Sequence, residues 1–567
     1  MTAVAVAAAL LALLVATAAF GACDRRSACT ASDLLVASRG VTPWRNASAI
    51  SGEYLSAAAF LGTAGLVLAY GADMLWLPVA ATAGHVLLLA FVTAPLRRSG
   101  AYTVSDFAEW RLGSPAVRRI VTCCVCFIGW FYLLPQFQGA GVTLRVMTGA
   151  PVWAGWAVVV AVTLLLVASG GMCSITAVQS LQFWVKLVAF AVPAAALLVM
   201  WQMDGRPDPV GGGPARFAHT TRVHVSTEVA VTAPAAVLVT ARGPVDGVRH
   251  GGGAMTLAAG RHTIGPAAEV VFPAGAPVPH AERLPVQSGE TWATPFGRGE
   301  EHGFYRTYSA LLGILLGTMG LPHVLIRFYT NPSGSTARRT AALVPVLLAL
   351  FYVFPTVYAS MGRLYAPELL MTGDTDATVL LLPQRIPGPA GALLTGLITL
   401  GAFAAFISTS CGLVVTIAGT VTQCARRSGV ASFRIATVFA LLVPLALLPR
   451  IGTQSAAGLV ALALCVSACS LCPLLLLAIW WRGLTAAGAA AGLIVGTGLA
   501  VASGVLHLYE LPLTGWPAAA VAEPAALIAP AAFAVMVAVS LLTRRRVPRR
   551  ADRALTKLHL PEDVFAR

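Results

Sequence analysis

Lysine is nearly missing from this 567-residue chain, which has only Lys186 and Lys557. Charge of either sign is thin: 11% of residues carry one while 57% are hydrophobic, so mean hydropathy reaches +0.78. Those values exclude a soluble enzyme and indicate a polytopic membrane protein. Also missing is any close pairing of cysteine with histidine. The eleven cysteines are scattered, mostly in apolar stretches (Cys411, Cys465, Cys469, Cys472), with Cys123, Cys124 and Cys126 opening another. Small buried hydrophobes are expected there, not a metal or redox centre. No nucleophile–base pair lies in the apolar stretches either, so no enzymatic activity is expected. The first stretch lacks the positive n-region of a secretory signal, so despite Ala22-Cys23 it is expected to remain as a helix. A formal charge of +15 would suggest nucleic acid in a soluble domain, but here the arginines cluster between apolar runs and read as topology signals.

Apolar sequence, by contrast, is plentiful and divides into about thirteen candidate membrane spans. If the N-terminus is outside, the inside connections hold Arg25, Arg26, Arg39 and Arg45; Arg97, Arg98, Arg111, Arg118 and Arg119; Arg338 and Arg339; Arg426, Arg427 and Arg434; and a basic tail from Arg544. The short outside connections hold little beyond Arg145, Arg363 and Arg450. The positive-inside rule therefore selects a cell-membrane protein with its N-terminus outside and its C-terminus cytoplasmic. A single large polar segment lies near 203–306. Its runs Val223–Val231 and Ala236–Thr240 place β-formers between Gly/Pro turns, which predicts a small β-rich extracytoplasmic insert. Its histidines (His219, His224, His250, His262, His280, His302) lack close paired spacing and are expected to be solvated.

Two spans are irregular. Between Tyr308 and Phe328 the apolar run contains Gly317-Thr318-Met319-Gly320-Leu321-Pro322-His323, whose glycines and proline should break a helix. In hydrocarbon, a broken helix survives only where protein or a polar cavity satisfies the freed backbone groups. Five spans earlier, Gly52 to Gly62 puts Glu53, small residues and two glycines in the first half of a span. A carboxylate there needs a partner or a wet interface, so Glu53 is a gating or structural candidate. Paired interruptions in two halves of opposite orientation point to an inverted-repeat transporter, with repeats at 50–202 and 307–479. Around them the expected organisation is an extra N-terminal helix at 1–22, a cytoplasmic loop at 23–49, two further transmembrane helices in 480–543 and the tail at 544–567.

The segments Gly52-Glu-Tyr-Leu-Ser-Ala-Ala-Ala-Phe-Leu-Gly62, Tyr102-Thr-Val-Ser-Asp-Phe107, Gln136-Phe-Gln-Gly-Ala-Gly141, Gly171-Met172 with Val178-Gln179, and Gly317-Thr-Met-Gly-Leu-Pro-His-Val-Leu-Ile-Arg-Phe328 resemble the sodium/solute symporter family. Within it they are most similar to the cation/acetate branch. The resemblance covers about residues 46–480 apart from the insert. It implies an all-α, five-plus-five inverted-repeat core and cation-coupled symport of a short monocarboxylate such as acetate, propionate or pyruvate. Sodium is the implied coupling ion, with a proton as the other possibility, and no further cofactor is expected. The implied partners are the solute, the ion and the lipid bilayer, with no nucleic acid. Other readings of the same chain are symport of another small solute such as an amino acid, or a transporter-fold sensor. The sensor would need an output domain where only the tail is expected.

The implied sodium ligands are the carbonyls of Gly52, Leu55 and Ala405 with the hydroxyls of Ser408 and Thr409. The adjacent mid-span hydroxyls suit a hard cation; equally, they can bond back to the preceding helical turn. Acetate permeases of the branch carry apolar residues at those two positions, so their ion coupling need not transfer; with Ser408 and Thr409 this chain is more similar to a sodium-coupled member, and Glu53, where the family usually has aspartate, keeps the charge. A half-helix start would present N–H groups to a carboxylate, which places the substrate among Ser56, Ala57, Phe60, Gln136, Thr318, Met319 and Gly320. Beyond the second break, His323 and Arg327 could guide an anion, although Arg327 also reads as a positive-inside anchor. Lys186, near Gln179, is explained equally by snorkelling and by a substrate role.

Overall fold

A computed structural model describes residues 2–23, 35–211, 213–295, 302–425, 429–451, 456–508 and 513–562; Arg25, Arg26, Arg426 and Arg427 lie outside them. Among the described residues ten helices are long and apolar enough to cross a membrane, and a sharply bent pair supplies one more. Two shorter apolar helices, Val4–Ala19 and Val152–Ala168, occupy the places of two other expected spans. The chain is therefore a mostly helical, multi-pass membrane protein with one small sheet.

Seven helices build the site. The bent pair is α1 (Pro43–Tyr54) and α2 (Ala58–Tyr70), set at 70° to each other. α3 is Pro115–Thr148, and α4 is Met172–Met203. The second interrupted span is α5 (Gly303–Gly320) followed by α6 (Pro322–Phe328), and α7 is Pro389–Cys424. α1 starts earlier than the repeat boundary expected at residue 50, because Pro43 takes the first helical position after an extended Thr42. A fixed φ is pre-organised there and the missing N–H loses nothing. α4 packs along both α1 and α7, and α5 packs against Trp76–Phe91 and Ala456–Cys469. Both interruptions therefore lie inside protein, where freed backbone groups find partners.

The insert is a seven-stranded antiparallel sheet: β1 (Thr221–Val225), β2 (Val229–Ala233), β3 (Val237–Val245), β4 (Val248–Leu257), β5 (Gly260–Ile264), β6 (Ala268–Phe272) and β7 (His280–Ala281). Its order is β1-β6-β3-β5-β2-β7, with β4 paired to β3. The β3–β4 hairpin turns on Asp246 and Gly247, both at positive φ (50° and 77°), the conformation a right-handed two-residue hairpin demands. His280 departs from the expectation of solvated histidines: it is 2% exposed, and its Nδ1 lies 2.9 Å from the Val278 carbonyl. The insert is tied to the bundle by the Trp292 indole, which donates to the Leu68 carbonyl of α2 at 3.1 Å, and by Arg283, which donates to the Gly373 carbonyl at 2.9 Å.

On the opposite face the tail forms a helix, Ala551–His559. Arg98 donates to the Leu558 carbonyl at 3.2 Å, and Lys557 donates to the Ser99 carbonyl at 3.3 Å.

Candidate functional site

Between α1 and α2, Leu55 and Ser56 leave the helical path, Ala57 is helical again (φ −51°, ψ −44°), and α2 opens with a π turn over Ala58–Gly62. Such turns tilt carbonyls out of the helical ladder. Gly52 lets α1 approach α4 closely, since a Cβ there would lie 2.6 Å from the Gln179 carbonyl oxygen. On α4, Thr176, Gln179, Phe183 and Lys186 share one face by helical spacing; on α7, Ala405, Ser408, Thr409 and Gly412 do the same. These two faces and the end of α1 converge.

At their meeting point sits the Lys186 ammonium. It donates to the Gly52 carbonyl, to the Leu55 carbonyl at 3.0 Å and to the Ser408 hydroxyl oxygen at 2.7 Å, which uses all three of its N–H donors. Ser408 Oγ lies 2.9 Å from the Gly52 carbonyl and 3.1 Å from that of Ala405, while the Thr409 hydroxyl donates to the Glu53 carbonyl at 2.7 Å. Of the five oxygens expected to surround sodium, those of Gly52, Leu55 and Ser408 are gathered around a lysine, while the Ala405 carbonyl accepts from Ser408 and the Thr409 hydroxyl turns to Glu53. The snorkelling explanation of Lys186 fails, because the side chain is fully buried. Sodium sharing those oxygens would meet the ammonium at close range. Two unit charges about 4 Å apart repel by about 4 kcal/mol at an effective dielectric constant of 20.

One turn towards the tail face lies a second charged group. Arg327 of α6 donates through Nε to Glu53 Oε2 at 2.8 Å, through one terminal nitrogen to Thr176 Oγ1 at 2.8 Å, and through the other to Gln179 Oε1. Both Glu53 and Arg327 are fully buried, so Arg327 is no positive-inside anchor; it is the ion partner of the first break's carboxylate. Gly412 makes room for that carboxylate: a Cβ on α7 at this point would lie 1.7 Å from Glu53 Oε1. Asn46 fixes the far end of α6 by donating to the Arg327 carbonyl at 2.9 Å and to Asn331 Oδ1 at 2.9 Å.

The second break is narrower than its composition suggests. Only Leu321 leaves the helix (φ −62°, ψ 113°), and Pro322 takes the first position of α6. Gly317 and Gly320 remain helical; their role is close packing, since Cβ atoms there would lie 2.3 Å from the Leu464 carbonyl oxygen and 2.6 Å from Ser467 Oγ. Thr318 and Tyr54 share a hydroxyl hydrogen bond of 3.0 Å, which joins the two breaks. His323 is fully buried with neither ring nitrogen hydrogen-bonded, edge-on to the Tyr132 ring at 5.1 Å.

A cavity of about 670 Å³ runs from the insert side down to the first break. Tyr54, Ser56, Ala58, Ala59 and Tyr132 form its foot, and Arg283, Arg306 and Glu523 are among the residues higher up. Of the residues expected at the substrate, Ser56 lines this cavity. Ala57 and Gln136 are joined just behind it, the amide donating to Gln136 Oε1 at 3.0 Å, and Thr318 reaches it through Tyr54. Met319 and Gly320 are packed away. Phe60 also turns elsewhere, into a ring cluster with Phe190 (4.7 Å) and Phe351 (6.1 Å).

The sodium:solute symporter family profile matches residues 34–208 and 288–496, which flank the sheet and take in both breaks. The chain belongs to the sodium:solute symporter family. It is 29% identical to an uncharacterised symporter of Cupriavidus necator, over 92% of this chain and 89% of that protein. It is 27% identical to a monocarboxylic acid transporter of Corynebacterium glutamicum, over 83% and 78% of the two chains. Among solved structures, a Na⁺-coupled sialic acid symporter in a substrate-bound, outward-open state superposes with a TM-score of 0.65 at 13% identity, covering 95% of this chain and 98% of that one. That likeness shows the shared fold. This symporter is accordingly a transporter, not an enzyme. Sequence reasoning missed Tyr54, Thr176, Gly412 and the part played by Lys186. The available signal for the last was its rarity: an ionisable residue deep in a span faces the bundle interior and has a partner.

Proposed function

We propose that this symporter carries a short monocarboxylate across the cell membrane by alternating access, coupled to a cation gradient, with its N-terminus outside and its C-terminus cytoplasmic. The observation that carries the reading is where the cavity ends: on Ala58 and Ala59, in the first turn of α2. First-turn amides have no partner within their own helix and carry the positive end of its dipole, so they favour a carboxylate. Tyr54 and Tyr132, which line the foot, have hydroxyls that suit a second carboxylate oxygen. The similarity to a monocarboxylic acid transporter supports the same substrate class. Orientation is supported by Arg97, Arg98 and the basic tail sharing one face, opposite the sheet.

The test is uptake of labelled acetate, propionate and pyruvate by proteoliposomes, with unlabelled acids and amino acids as competitors. Accumulation above protein-free vesicles that only short monocarboxylates suppress is the expected result. Accumulation of an amino acid with none of the acids would overturn the substrate class.

A further inference from the structure

Cation positions in a membrane interior hold a charge only when enough oxygens replace water around it. At the first break that requirement is met by the protein itself. Lys186 brings one positive charge, three donors and no need of entry or exit, and the Gly52 carbonyl, the Leu55 carbonyl and Ser408 Oγ accept all three. The approach of α1 to α4 that makes this reach possible depends on Gly52 having no side chain. Gln179 strengthens the same seam by donating to the Ser408 carbonyl at 2.7 Å. The charge count agrees: Glu53 and Arg327 neutralise one another, so the ammonium supplies the single net positive charge that a bound sodium would otherwise bring.

We propose that Lys186 is a tethered replacement for the coupling sodium: its ammonium fills the cation position between α1 and α7, and this symporter works without sodium there. The inference rests on the reading of the chain as a transporter but not on the identity of its solute. A mobile ion must be released once per cycle, whereas a lysine stays with α4 whichever way the site faces. Sodium concentration then has no hold on the contact between the first break and α7.

The decisive experiment is ²²Na⁺ binding to the purified full-length protein by scintillation proximity, paired with thermal unfolding in NaCl against choline chloride at equal ionic strength. The wild type is expected to show no saturable binding and the same unfolding temperature in both salts. Lys186→Ala, which vacates the position, is expected to gain saturable ²²Na⁺ binding and a sodium-specific rise of about 3 °C. Saturable binding by the wild type that Ser408→Ala abolishes would overturn the proposal, and so would a folded Lys186→Ala protein that binds no sodium. If that variant does not fold, uptake by the wild type decides: equal rates in sodium and in N-methylglucamine support the replacement, and collapse without sodium refutes it. Binding and unfolding need no substrate, so failure of the monocarboxylate reading remains distinguishable from failure of this one.

Discussion

At the first interruption the chain turns through 70° about Leu55 and Ser56, whereas at the second Leu321 alone steps out and the span runs on. The wide break releases carbonyls, and carbonyls gathered in a protein interior call for a cation; Lys186 answers. The narrow break releases little, so its neighbours need only pack, and its glycines serve as contact points for the facing helix. Its chemical contribution comes one turn later, through Arg327. Halves related by topology have thus divided the work: one bends and exposes backbone, the other stays nearly straight and sends back a guanidinium.

Cutting the link between the halves has the largest expected effect. Glu53→Ala leaves Arg327 buried and unpaired, a change worth about 3–5 kcal/mol. A fall in unfolding temperature with loss of monodisperse protein in size-exclusion chromatography is expected. Glu53→Asp keeps the charge and is expected to recover most of the folded yield. If Glu53→Ala is as stable as the wild type, the ion pair is not what joins the halves. Next in size are the glycines. Gly412→Ala drives a methyl group into the Glu53 carboxylate, and Gly317→Ala drives one into the Leu464 carbonyl, each destabilising by about 1–3 kcal/mol. Uptake normalised to folded protein separates them: it should fall at Gly412, beside the charged site, and survive at Gly317. Equal losses would erase the proposed division of labour.

Smaller still is the hydroxyl bridge. Tyr54→Phe and Thr318→Val each remove a hydrogen bond worth about 1 kcal/mol, and a double-mutant cycle should show that the two losses are not additive. A last effect lies outside the membrane and serves as a control. Burial, aided by the Arg363 charge, lowers His280 from its ordinary 6.5 to about 4. A depressed value means that the folded sheet binds fewer protons than the unfolded chain, so the sheet loses stability as pH falls from about 6.5 towards 4. Thermal unfolding of the wild type against His280→Gln over that range checks the sign: only the wild type should carry this loss. Neither break should respond to the substitution.

Much of this was legible beforehand because hydropathy and Gly/Pro placement report local physics. A run of twenty apolar residues has few fates, and the Gly52–Gly62 and Tyr308–Phe328 segments stood out as interruptions for that reason. What composition could not convey was pairing across hundreds of residues. Arg327 near a span end looks the same whether it snorkels or crosses the bundle to Glu53, and only the packing of α6 on α1 distinguishes the two. Phe60 misled for a similar reason: it lies in the irregular segment, yet the π turn rotates it towards Phe190. Gly317 and Gly320 stand out in the sequence but permit contact rather than bending, and the two kinds of glycine are identical in sequence.

Two of the ties between the sheet domain and the bundle differ in kind. Trp292 is fastened to α2, the arm beyond the bend, while Arg283 grips the Gly373 loop. Force applied to the sheet is therefore passed directly to α2, a helix of the membrane-spanning bundle. The domain is a handle, and an antibody fragment clamped across the sheet and the Gly373 loop acts as a brake on the lever beneath it.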